Sequence, residues 1–149
     1  AGQQNEWNDA NIGNYSTAFG NNTLASGQAS FSVGEATWAT AANAVAMGLS
    51  TRATAASAFA VGGSAQATGT ASISMGSSTV ASGTGSIAMG NTATASNTGA
   101  VALGLGPQAS GFGAVALGVD VVASGNFSTA IGNLASTAGQ EGAIVIGDN

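Results

Sequence analysis

Ser86-Ile87-Ala88-Met89-Gly90 is one of ten closely similar stretches in this chain, and their spacing decides the fold. Steps of fourteen residues from Gly90 reach Gly20, Gly34, Gly48, Gly62 and Gly76 in one direction and Gly104, Gly118 and Gly132 in the other. A tenth copy closes at Gly147, one residue late. Ahead of these glycines stand triplets such as Phe59-Ala60-Val61, Ile73-Ser74-Met75, Val101-Ala102-Leu103 and Val115-Ala116-Leu117. A short period kept this closely marks a solenoid, in which each repeat is one turn of chain that buries its face only against its neighbours.

With the glycine as position 14, residues 7–20, 21–34, 35–48, 49–62, 63–76, 77–90, 91–104, 105–118 and 119–132 form nine coils of equal length. Residues 133–147 make a tenth with one residue more, 1–6 form a polar lead-in, and 148–149 a short tail. Positions 9–13 alternate with the period of two that belongs to a strand, and a glycine about every seven residues disfavours helix. Positions 3–7, as in Thr79-Val80-Ala81-Ser82-Gly83, supply a second strand built of small residues. Positions 7 and 14, rich in Gly and Asn, are expected at the two corners, because these residues accept positive φ. The expected fold is all-β: a two-sided parallel β-roll of about ten coils, stacked at roughly 4.8 Å into a body ~45–50 Å long.

Parity along the first strand then assigns faces. Positions 11 and 13, apolar in most coils, are expected to fill the roll against the alanines of position 5. Position 12 is expected to point outward, where Ala46, Ala60, Ser74, Ala88, Ala102, Ala116 and Ala130 form a column of small side chains. A solvated strand face normally carries larger polar residues, so this column is the candidate self-association interface. Ordering so long a chain around so thin a core is costly, which is a further reason to expect partners. The first and ninth coils carry Thr17 and Thr129 at position 11, and Tyr15 and Phe127 at position 9 are expected to fill the missing volume.

Composition removes whole classes of function. The net charge is −5 and Arg52 is the sole basic residue, which cannot neutralise a nucleic-acid backbone or bind an anionic membrane surface. There is no histidine or cysteine for imidazole or thiolate catalysis, and the six carboxylates are scattered without a metal-binding spacing, so neither an enzyme nor a cofactor is expected. No apolar run approaches the ~18 residues of a membrane span, so the segment itself is expected to be soluble.

Two outer columns remain for recognition. Position 6 presents hydroxyls at Ser26, Thr40, Thr54, Thr68, Ser82, Ser96, Ser110 and Ser124, which makes an ice-binding solenoid face an alternative reading. Mixed Ser and Thr, in place of a pure Thr array, weigh against it. Position 4 stacks Leu24, Trp38 and Arg52 on successive coils, a candidate partner-binding patch because tryptophan and arginine dominate binding hot spots.

Coils of fourteen closing in Ser-Ile-Ala-Met-Gly, with Ala-Ser-Gly or Ala-Thr-Gly in the other half, resemble the head repeats of the trimeric autotransporter adhesins, the YadA-like heads. The resemblance spans residues 7–147. It implies a left-handed β-roll assembled as a homotrimer and exposed on the bacterial outer membrane above a stalk and β-barrel anchor. It also implies attachment to host matrix proteins, cells or surfaces, with a purely structural spacer as a further alternative. Scarcity of Lys and Arg, and Thr17 and Thr129 at position 11, set this chain apart from the family pattern, and without a stalk, anchor or signal peptide in it the sequence is expected to be an excised head.

Overall fold

The computed structural model describes residues 12–148; the lead-in at 1–6, the start of the first coil at 7–11 and Asn149 lie outside the described residues. The chain winds into an all-β parallel solenoid of about nine turns, with no helix among the described residues. One wall is a 10-stranded parallel sheet of five-residue strands. These are Thr17–Asn21, Phe31–Glu35, Val45–Leu49, Phe59–Gly63, Ile73–Ser77, Ile87–Asn91, Val101–Leu105, Val115–Val119, Thr129–Asn133 and Ile144–Asp148. β-branched and aromatic residues at positions 11 and 13 favour this extended backbone. The register is in step throughout: Ile73 pairs with Ile87, Ala102 with Ala116, Gly90 with Gly104. The extra residue of the last coil is absorbed outside the sheet, so Ile146 still pairs with Ile131, and Asp148 pairs with Asn133 as a strand residue, not a tail.

The opposite wall is narrower than expected. It contains seven two-residue strands, Trp38–Ala39, Arg52–Ala53, Gln66–Ala67, Val80–Ala81, Thr94–Ala95, Gln108–Ala109 and Val122–Ala123. Isolated bridges Leu24 to Trp38 and Val122 to Ser136 extend it. Each strand of either wall bonds its equivalent one coil on, and the bonding continues through the bends, where Ser78 N–H donates to the Gly63 carbonyl at 2.7 Å and Thr92 N–H to the Ser77 carbonyl at 2.8 Å.

The expected faces are inverted. Ala46, Ala60, Ser74, Ala88, Ala102, Ala116 and Ala130, placed outward by parity, are fully buried inside the single roll, whereas positions 11 and 13 point out. The interior is built from position 12, the alanines of position 5, and small residues at positions 3 and 10 such as Thr37, Ala44, Thr51 and Ala58. The reason is thickness. The Ser32 hydroxyl on the long wall reaches both the Thr37 carbonyl, at 2.9 Å, and the Thr37 hydroxyl, at 2.8 Å, on the other. A serine hydroxymethyl thus reaches from one wall to the other, against the ~10 Å separation of ordinary packed sheets. Leucine or methionine has no space there. A matching rung, Ser74 on Thr79, interrupts the alanine core and divides it into two apolar clusters.

The corners also differ from expectation. Left-handed backbone sits at positions 2 and 9, and most of these residues are not glycine: Ala36, Ser50, Ser64, Ser78 and Thr92 at one bend, Ala29, Asn43, Ser57 and Ala71 at the other. Position 14 lies within the long strand; Gly90 has φ 123°, and a Cβ there would strike the Gly104 carbonyl oxygen of the next coil. Where position 7 is glycine the reason is closeness without positive φ: a Cβ on Gly83 would strike the Asn97 carbonyl.

Candidate interaction surfaces

The inversion moves the bulky side chains to the surface. Every strand of the long wall presents positions 11 and 13 outward, so ten strands carry two in-register columns of Phe, Val, Ile, Leu and Met on one face, interrupted only by Thr17 and Thr129. Neighbouring coils half-cover many of them, as where Val101 stacks on Val115 and Leu103 on Leu117, while Phe19, Phe31, Met89, Ile144 and Ile146 stand exposed. At 4.8 Å per coil the face is about 45 Å tall and ~14 Å wide, on the order of 600 Å². That is at the upper limit of apolar patches on monomeric proteins, and patches of this size mark interaction sites. The signal was present in the sequence. Positions 3, 5, 10 and 12 are Ala, Ser or Thr in most coils, and four small columns close a thin interior only by facing one another.

None of the seven side chains assigned to the interface from sequence reaches the surface, since each is 0% exposed within one chain. The side chains this wall presents outward are the bulky columns beside them.

The structure brings the three residues of the second candidate patch together. Leu24 pairs in register with Trp38, and Trp38 with Arg52, on the outer face of the short wall. The Arg52 guanidinium lies over the indole, 4.4 Å from the ring centroid, and Trp38 keeps 36% of its surface exposed. Among the described residues Arg52 forms no ion pair, so this stacking holds the chain's only basic side chain extended with its hydrogen-bond donors free. A carboxylate or other anion is the chemistry it accepts.

The hydroxyl column of position 6 runs alongside, but the adjoining column contains Leu24, Trp38, Arg52, Gln66 and Val80, so the wall is not a uniform hydroxyl array. Tyr15 and Phe127 do not fill space above Thr17 and Thr129. Both have left-handed backbone at the bend, which swings the ring off the sheet; Tyr15 is 89% exposed, and Phe127 packs edge-on against Phe112 at 5.3 Å between centroids. Among the described residues no three His, Cys, Asp or Glu side chains gather in a way that could hold a metal ion.

The family model for the YadA head domain repeat matches residues 25–51, 81–106 and 109–135, together more than half of the chain. No curated protein matches it.

Proposed function

The chain belongs to the YadA head family, and from that premise we propose that it is the binding head of a trimeric autotransporter adhesin. Three copies pack their long walls around a common axis, each roll winding left-handed. The observation that carries this reading is the outward apolar face of ten strands, which has no counterpart inside its own roll. Turning the three faces inward removes that surface from water and leaves the three short walls outermost. The assembly stands on the bacterial outer membrane, on a stalk and anchor supplied by other parts of a longer protein.

The short walls then meet the host matrix or cell surface, and the patch formed by Leu24, Trp38 and Arg52 supplies the contact. One cation per chain is weak alone, but three on one rigid body engage a repetitive ligand with multiplied effect. Binding of the purified chain to immobilised matrix proteins, compared with Trp38→Ala and Arg52→Ala, tests this. Saturable binding that falls at least tenfold in either variant supports the reading. Absence of binding by an intact trimer contradicts it and leaves a spacer that only extends the tip.

A further inference from the structure

The two long edges of the roll bear complementary sequences, and we propose that they interlock between neighbouring copies, setting their vertical register. One edge is the turn at positions 8 and 9; the other is the bend at positions 1 and 2. Through the middle of the roll both are polar, with Thr70, Thr84 and Thr98 on the first and Ser64, Ser78 and Asn91 on the second.

Near the C-terminal end both edges become apolar together. Phe112 and Phe127 stand on the turn edge, and Leu105, Val119 and Leu134 on the bend edge, each between 39% and 60% exposed. Their spacing interleaves: Phe112 is seven residues after Leu105 and seven before Val119, while Phe127 is eight after Val119 and seven before Leu134. Seven residues are half a coil, or about 2.4 Å of rise. Each ring therefore sits at a height between two aliphatic side chains of the opposite edge. The two rings are held edge-to-face, and Gly113 makes room for them, since a Cβ there would approach the Phe127 ring to 3.2 Å.

A second match lies in the N-terminal half. Leu49 is the exposed bulky residue of the bend edge there, and it falls seven residues after Ala42 and seven before Ala56. These are the two alanines at position 8, which elsewhere carries Asn, Gln, Thr, Phe or Glu. A large side chain on one edge meets small ones on the other at the same level.

Within one roll the edges lie on opposite sides and cannot touch. This inference rests on the trimer proposed above. In a cyclic trimer the contact is heterologous, so the turn edge of one protomer faces the bend edge of its partner. Rotation about an axis parallel to the stack keeps every residue at its own height. Phe112 then enters between Leu105 and Val119 of the next copy, Phe127 between Val119 and Leu134, and Leu49 fits between Ala42 and Ala56. A copy displaced by one coil seats only one of the two rings between aliphatic side chains and sets Leu49 against Thr70 or Gln28 in place of one alanine, so the edges favour the in-step register.

The absence of native cysteine makes cross-linking a clean test. Leu105→Cys with Phe112→Cys, and separately Leu49→Cys with Ala42→Cys, place matched thiols on the two edges. Leu49→Cys with Phe112→Cys is the mismatched control. On oxidation each matched pair is expected to give at least tenfold more covalent trimer than the control on a non-reducing gel. Light scattering on the reduced proteins separates the two levels of the inference. A trimer whose matched pairs cross-link no better than the control overturns the interlock and leaves the trimer standing; a 14.0 kDa monomer overturns both.

Discussion

The inside of this roll and the outer face of its long wall are alternate residues of the same strands, yet they follow opposite rules. Inside, Val121 is the largest fully buried side chain, and alanine fills column after column. Outside, one residue away in either direction, stand Phe31, Met89 and Ile146. In most proteins side-chain size falls from core to surface; here it rises. The interior is limited by geometry, because two walls joined by fourteen-residue coils approach too closely for any side chain larger than the valine at 121. Backbone bonding and close stacking hold the single roll, and the apolar area that ordinarily drives folding remains on its surface.

The largest test of that contrast is a charge placed inside. Ala88 is fully buried with no partner for a carboxylate, so Ala88→Glu is expected to abolish the fold, costing several kcal/mol or more. Circular dichroism should lose its β-signal; a folded monomer would show that this column faces out. Next in size is Gly90→Ala, where positive φ and the Gly104 carbonyl both oppose a methyl group. A loss of about 3 kcal/mol is expected from backbone strain alone, read as a lower midpoint in denaturant. The smallest effect is a gain. The Thr51 hydroxyl is buried without a partner opposite Ala46, whereas Thr37 and Thr79 are met by Ser32 and Ser74. Ala46→Ser should complete a third rung and stabilise the roll by about 1 kcal/mol.

The period, the ten strand positions and their exact-step pairing were legible because glycine at position 14 repeats for a steric reason that no other residue meets. The Leu24, Trp38 and Arg52 stack was legible because parallel pairing in register places position 4 of each coil beside the next. Which face points inward was not, since the alternation of Ile87, Ala88 and Met89 is the same read from either side, and the habit of burying the larger set chose wrongly. The bends were hidden for another reason: Ala36, Ser50 and Thr92 carry left-handed backbone with no glycine to announce it, held there by hydrogen bonds to the adjacent coil. Tyr15 and Phe127 were misplaced with them, because a left-handed residue breaks the parity that would have put their rings on the sheet.

The most direct measurement is solution mass by light scattering across a dilution series, for the parent chain and for Val101→Asp combined with Leu103→Asp. Both substitutions sit on the outward face and leave the interior columns untouched. The parent should hold three times the 14.0 kDa chain mass on dilution, and the double variant should run as a folded 14.0 kDa monomer with its β-signal intact. A parent that is monomeric, or a double variant that remains trimeric, would contradict the assignment of the bulky face to assembly.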